Sequence, residues 1–162
     1  MARPPANDNF ASPFLIRRQD PTISTGTTPA WSVAGLTMET DESEPSAIDV
    51  SATGVDQSAW FRFTPWKSGE LTLDCFGSLA WDDFSYGASF DGLWLALAVY
   101  TGESLGTLVE QGAMDNVASN QLFVSVVVST VYHIQVVNML YDPPPSSGLR
   151  NNGLAKLNWS LE

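Results

Sequence analysis

Residues 58–78 read SAWFRFTPWKSGELTLDCFGS, and this stretch decides the fold class. Its first and last parts alternate apolar and polar residues, which is the pattern of strands that have one face in a core. Phe61 and Phe63 share one face of the first strand, and Leu71 and Leu73 share one face of the second. The Pro, Lys, Ser and Gly between the two parts are residues that turns favour. The stretch therefore predicts two consecutive strands with a short turn between them.

Strand patterns continue to the end of the chain. Residues 93–100 are apolar at both parities, which predicts a strand covered on both faces. Residues 122–128 and 131–137 are rich in β-branched side chains, and Ser129 and Thr130 between them fit a hairpin turn. No window of the sequence keeps the apolar period of a helix. We therefore predict an all-β chain, an antiparallel β-sandwich of the jelly-roll kind with about eight or nine strands.

One parity of each predicted strand supplies the core. These positions carry large apolar side chains that repeat every second residue. The predicted core residues are Phe61, Phe63, Leu71, Leu73, Leu97, Val99, Val126, Ile134, Val136, Leu157 and Trp159.

The chain divides into an arm and a single domain. Residues 1–13 contain three prolines among Ala, Asn and Asp residues and have one apolar anchor, Phe10, so they predict an extended arm. Residues 14–162 have the size of one sandwich domain, with enough apolar residues for a full core.

Four residues of the arm are predicted to dock it on a neighbouring subunit. Pro4 and Pro5 reduce the entropy that is lost when the segment becomes ordered. Phe10 offers an apolar anchor, and Arg3 can pair with an acidic surface. The alternative is that the arm wraps its own sandwich and that Phe10 packs there.

The composition argues against several partners. The chain carries 18 acidic and 7 basic residues, a net charge of −11. Binding to nucleic acid or to an anionic membrane needs clustered Lys and Arg, so we expect neither. The N-terminus has no apolar leader. If Met1 is the natural start, we expect the protein to stay in the cytoplasm where it is made or to leave it in a particle.

Residues suited to catalysis are few. His133 is the only histidine and Cys75 the only cysteine, and both lie in predicted strands. A serine or cysteine hydrolase needs its nucleophile beside a base, and no nucleophile-elbow, phosphate-loop or zinc-protease motif occurs. We expect no enzyme activity, and we expect Cys75 to be a buried apolar residue.

A family resemblance extends over nearly the whole chain. It rests on short segments in a fixed order: NDNFA at 7–11, GLTME at 35–39, EPS at 44–46, SAWFRF at 58–63, SGELTL at 68–73, FD at 90–91, LAVYTG at 97–102 and YHIQV at 132–136. In this order they resemble the bacterial pre-peptidase C-terminal domain, a β-sandwich module related to the collagen-binding domains of clostridial collagenases. The resemblance implies a non-catalytic module that binds or organises. Such modules occur behind secreted peptidases and also inside phage structural proteins.

A structural calcium ion is the one cofactor that we consider. Calcium takes six to eight oxygen ligands, and the acidic loop ETDESEP at 39–45 offers several carboxylates. The resemblance implies an ion between the N-terminal segment and the sandwich, as in the collagen-binding relatives. The alternative is a solvated acidic loop without an ion. The candidate ligands are Asn7, Asp8, Glu39, Asp41, Glu42 and Glu44.

An aromatic insert is the candidate binding loop. Aromatic rings in a loop can stack on a sugar or anchor a protein interface, and carboxylates beside them can accept hydrogen bonds. The alternative is that the rings fold back and close one end of the sandwich. The residues concerned are Trp81, Asp82, Asp83, Phe84, Tyr86, Phe90 and Asp91.

These observations predict a non-enzymatic structural protein of a phage virion. A capsid decoration, head-fibre or tail-associated subunit would dock through its arm, present its loops outward and act in several copies beside other virion proteins. The alternative is a secreted, extracellular accessory module for a matrix protein or a glycan, cut from a larger enzyme.

Overall fold

The computed structural model of the chain describes residues 6–17, 22, 24–33, 36–48, 55–80, 95–117, 120–139 and 153–162. These residues form twelve short strands and one 3-10 turn at Leu105–Thr107. The strands are β1 (Phe14–Ile16), β2 (Thr25–Thr27), β3 (Trp31–Ser32), β4 (Val55–Phe63), β5 (Gly69–Asp74), β6 (Leu79–Ala80), β7 (Leu95–Thr101), β8 (Val109–Met114), β9 (Leu122–Val126), β10 (Tyr132–Met139), β11 (Gly153–Ala155) and β12 (Asn158–Leu161).

The strands form two layers. The first layer is a five-stranded sheet in the order β1-β4-β10-β7-β8. The second consists of a four-stranded sheet, β2-β12-β5-β9, and a three-stranded sheet, β3-β11-β6. Short bends join β2 to β3, β5 to β6 and β11 to β12, so the three-stranded sheet continues the larger one in the same strand order. If each bent pair is counted as one strand, the described residues form nine, within the eight or nine that the sequence predicts.

The strand order is that of a jelly roll. With β1 left aside and each bent pair counted once, the strands can be numbered one to eight from β2/β3 onward. The second layer then has the order 1-8-3-6 and the first has the order 2-7-4-5. Every pairing is antiparallel except that of β1, which runs parallel to β4 with Phe14 opposite Phe61 and Ile16 opposite Phe63.

The core lies between the two layers. All eleven residues predicted for it are buried. Their side chains point inward from each layer and pack against those of the facing layer. The fold class and the core positions are thus confirmed. Strand β7 is buried at both parities as predicted, and Cys75 is fully buried.

One predicted connection is wrong. Strands β9 and β10 do not form a hairpin, because β9 pairs with β5 in the second layer and β10 pairs with β4 and β7 in the first. Residues 127–131 therefore cross between the layers. Ser129 has a left-handed backbone conformation with φ of 65°, and its N–H donates to the Pro65 carbonyl over 3.0 Å.

A close packing contact in the second layer generates the first testable expectation. A Cβ atom at Gly26 would lie 2.6 Å from the indole ring of Trp159. We expect Gly26→Ala to lower the free energy of unfolding by about 1–3 kcal/mol in urea denaturation, because the core must shift to admit the methyl group. Gly106→Ala is the matched control, since nothing lies within 4 Å of a Cβ there. Equal midpoints for the two variants would contradict the packing described.

Candidate functional site

The outer face of the first layer carries many polar contacts between distant parts of the chain. Two segments cross this face: residues 6–13, here called the arm base, and residues 36–48, here called the strap. The strap contains the acidic loop, whose sequence lacks the alternation of a strand and includes Pro45, which lacks a backbone N–H. The strap has no backbone strand pairing. Its carboxylate side chains instead accept hydrogen bonds from donors in neighbouring segments.

The arm base joins both β4 and the strap. The carbonyl oxygen of Asn7 accepts a hydrogen bond from the backbone N–H of Trp60 over 2.8 Å. The carboxylate of Asp8 accepts from the backbone N–H of Thr37 over 2.6 Å and from its hydroxyl over 3.0 Å. Asn7 and Asp8 are both buried. Their polar groups therefore hold the N-terminal segment against the sandwich.

Phe10 packs on its own sandwich. Its ring meets Trp60 edge to face, with centroids 5.1 Å apart, and lies 4.5 Å from the ring of His133. Its backbone N–H donates to the carboxylate of Glu39 over 2.7 Å. This is the alternative arrangement weighed from the sequence, so Phe10 is engaged inside the molecule. The other predicted docking residues, Arg3, Pro4 and Pro5, lie outside the described residues.

Glu42 joins the strap to β4 through several hydrogen bonds. Its carboxylate accepts hydrogen bonds from the Ser58 hydroxyl at 2.7 and 2.9 Å, from the Trp60 indole N–H and from the backbone N–H of Glu39 at 3.1 Å. Burial raises the pKa of Glu42, and the hydrogen bonds from Trp60, Ser58 and Glu39 oppose that rise. The carboxylate thus provides acceptors for the Ser58 hydroxyl and the Trp60 indole N–H, which would otherwise lie beneath the strap without a partner.

The distal half of the strap forms hydrogen bonds to β10 and β8. The Gln135 amide on β10 donates to the carbonyl oxygen of Ser43 over 3.2 Å and its oxygen accepts from the Tyr100 hydroxyl over 3.0 Å. The backbone N–H of Ser46 donates to Glu110 on β8 over 3.0 Å. The strap therefore spans β4, β10, β7 and β8.

The strap ends in an apolar contact. Ile48 packs with Ala96 of β7 and Val137 of β10, and all three are buried. The strap thus covers the outward-facing side chains of the first layer. It does so through hydrogen bonds along its middle and through an apolar contact at its C-terminal end.

The predicted calcium ligands are only partly brought together. Asp8, Glu39 and Glu42 each accept hydrogen bonds from N–H or O–H groups, whereas Asp41 and Glu44 are exposed. Within the described parts of the chain, no three His, Cys, Asp or Glu side chains are grouped so that they could hold a metal ion. The calcium hypothesis stays a prediction, and melting curves in calcium and in EDTA would test it.

An open depression lies beside the arm base. It has a volume of about 760 Å³, and Phe10, Leu105, Glu39, Asp41 and Glu103 are among its lining residues. The sequence singled out the two strap carboxylates here but missed the contribution of the 3-10 turn, because residues 103–105 carry no recognisable motif. The depression combines an apolar wall with negative charge.

The predicted aromatic binding loop, Trp81 to Asp91, lies outside the described residues. The strand ends that flank it are described, and they are neighbours of those that flank residues 140–152. Ala80 pairs with Gly153, and Leu95 pairs with Asn138. The two long connections are therefore anchored at the same end of the sandwich.

His133 and Cys75 are enclosed by the fold. His133 is 7% exposed, and its Nδ1 has no partner among the described residues. Burial lowers the pKa of His133, Arg62 lowers it further, and the backbone of Gly102 opposes both effects. Burial and the nearby Asp74 raise the pKa of the Cys75 thiol, which therefore stays protonated at neutral pH.

No known protein-family description matches the chain, and no curated protein matches it. The resemblance to pre-peptidase C-terminal domains therefore stays a prediction. No helix in the described residues is both long enough and apolar enough to cross a membrane.

The hydrogen-bonding role of Glu42 can be tested by Glu42→Gln. The amide has one acceptor oxygen in place of two and turns an NH₂ group toward existing donors, so a buried donor is left without a partner. We expect a loss of about 1–3 kcal/mol in the free energy of unfolding and faster proteolysis within the strap. Glu44→Gln, an exposed position on the same loop, is the control and should behave as the parent protein. A parent-like Glu42→Gln would show that the strap is held by other contacts.

The enclosure of His133 predicts a pH dependence of stability. Its pKa is lowered in the folded protein, so the unfolded chain, with a pKa of about 6.5, binds the proton more readily. Stability should therefore fall as pH drops below about 6.5, over the window between the unfolded and folded pKa values. Urea denaturation of the parent and of His133→Gln between neutral and mildly acidic pH measures this contribution. Parallel slopes for both proteins would rule it out.

Proposed function

We propose that this protein is a non-enzymatic structural subunit of a phage particle, such as a capsid decoration, head-fibre or tail-associated subunit. The observation that carries the proposal is that the acidic and imidazole side chains on the outer face of the first layer are engaged in contacts within the fold. Asp8, Glu39 and Glu42 accept donors from the arm base, the strap and β4, and His133 lies under Phe10. Such a molecule acts by presenting a surface, and particle subunits work in this way.

Two further features support this proposal. Jelly rolls are frequent among viral capsid proteins, so the fold supports the proposal by analogy. The net charge of −11 keeps free copies apart in solution until a specific contact brings them onto the particle. Other virion proteins, and further copies of this chain, would be the partners.

We assign the docking role to residues 1–5 of the arm. Residues 6–13 contact the sandwich, with Asn7 and Asp8 hydrogen bonded and Phe10 stacked. Only residues 1–5, with Arg3 and the two prolines, are left as the arm that reaches a neighbouring subunit. A longer deletion would also remove the hydrogen bonds between Asp8 and Thr37. Its effect on docking could then not be separated from a loss of stability.

Deletion of residues 1–5 is therefore the test of arm docking. A tagged copy is produced during infection, and its amount in purified particles is compared with its amount in the lysate. The full-length chain should co-purify with particles, whereas the deletion variant should be depleted from them by about tenfold or more, which corresponds to a loss of at least about 1.4 kcal/mol in binding free energy. Asp41→Asn, an exposed change on the strap, is the control.

Full-length protein that is abundant in the lysate but absent from particles would overturn the structural role itself. Full incorporation of the deletion variant would overturn only the arm. The two failures are therefore distinguishable.

One observation favours the accessory glycan-binding module as a second candidate. The outer face of the second layer is a row of small hydroxyl side chains that ends in an aromatic ring: Thr25, Ser160, Thr72 and Phe123 lie side by side across β2, β12, β5 and β9. Phe123 is 56% exposed. A sugar ring can stack on such an aromatic side chain while its hydroxyls bond to the row. Loss of binding to a glycan array in Phe123→Ala, but not in Val131→Ala, would support this function.

A further inference from the structure

Strand β1 is the terminal strand of the first layer, and along its other side the described residues place no strand. Its only strand partner among the described residues is β4. A cavity of about 380 Å³ lies between β1 and β2, with Phe14 and Ile16 on one wall and Gly26 and Trp159 on the other. This volume is within the range of about 300–1,000 Å³ that ligand pockets occupy. This edge of β1 thus borders a space large enough for bound side chains.

A second cavity lies on the other face of β1. It has a volume of about 360 Å³ and is lined by Leu15, Arg17, Arg62 and Thr64 among others. Leu15 is paired with Arg62, so its side chain faces outward with that arginine. This edge of β1 therefore lies between two cavities, one on the core side and one on the outer side.

The two cavities differ in charge. Arg17 and Arg62 are both exposed and belong to the outer cavity, and neither forms an ion pair with a carboxylate among the residues that the structure describes. The core-side cavity between Phe14 and Trp159 offers apolar and hydroxyl side chains and one cation, Arg17, at its end. In a chain of net charge −11, a site with two free cations is the opposite of the average surface.

We propose that the edge of β1 that faces away from β4 binds an extended segment of a partner protein in which acidic side chains alternate with apolar ones. Successive side chains of a strand point to opposite faces, so a strand added at this edge sends every second side chain to Arg17 and Arg62. The intervening side chains enter the cavity beside Phe14 and Trp159. Backbone hydrogen bonds to β1 supply affinity, and the alternation supplies specificity.

The edge of β1 and an acidic, partly apolar partner segment are not part of the proposed function. Their binding to each other concerns the isolated protein and holds whether or not the protein is part of a particle. Its failure and the failure of the proposed function are therefore separate results.

The test uses a fluorescent peptide of alternating Val and Glu and measures its anisotropy with the full-length protein at low salt. We expect saturable binding, and we expect Arg17→Gln and Arg62→Gln each to weaken it by up to about fivefold, as for an exposed ion pair. Lys156→Gln is the control, because it makes the same change of charge away from both cavities. A peptide of alternating Val and Lys should bind much more weakly. Circular dichroism verifies that each variant is folded.

A second measurement tests strand addition itself. Two versions of the peptide carry N-methyl groups on alternate residues, one version on each edge of the extended chain. Methylation of the edge that faces β1 should abolish binding, and methylation of the other edge should not. Equal binding of both versions would overturn strand addition. No binding of the parent peptide at about 1 mM, or an equal loss in Lys156→Gln, would overturn the site.

Discussion

The structure depends on one constraint: the first layer must be covered on both faces. Strand β7 is apolar at both parities, and Trp60 on β4 places an indole ring on the outward face. The second layer covers only the inward face. The arm base and the strap cover the other, and their sequence is polar because they also have to satisfy the donors of Trp60 and Ser58.

This arrangement gives the acidic residues a structural role that their charge does not suggest. Carboxylates in a protein of net charge −11 repel one another, and burial raises the free energy of each. Around Glu42 this is offset by an indole N–H, a hydroxyl and a backbone N–H that converge on one carboxylate. Hydrogen bonds to a charged acceptor are about twice as strong as neutral ones, which explains why an acid is found there.

The fold could be predicted from sequence because its signals are local. The alternation at Phe61 and Phe63, and at Leu71 and Leu73, follows from the pleat of a strand that has one face in a core. The false hairpin between β9 and β10 arose because periodicity identifies strands but not their partners. Two runs joined by a tight turn can enter the same sheet or opposite sheets of a sandwich.

The site was predicted less well, for a related reason. Asp8, Glu39 and Glu42 were predicted as calcium ligands, and that role stays a prediction. In the structure they accept hydrogen bonds from donors that lie 16, 18 or 29 positions away in the sequence. No sequence pattern marks Ser58 or the Trp60 indole as a donor. The acidic loop was therefore interpreted from its charge and from the family resemblance, as a metal site or a solvated turn.

The strap also has a consequence for how the chain folds. Its contacts reach strands that come much later in the sequence, from Ser58 to Val137, so it can close only when β4, β7, β8 and β10 are already assembled. Contacts between distant parts of a chain form slowly. Until the strap closes, the apolar outward face of the first layer is open to other unfolded chains, and such intermediates aggregate readily. Recovery of native protein should therefore depend steeply on the concentration at which the chain is refolded.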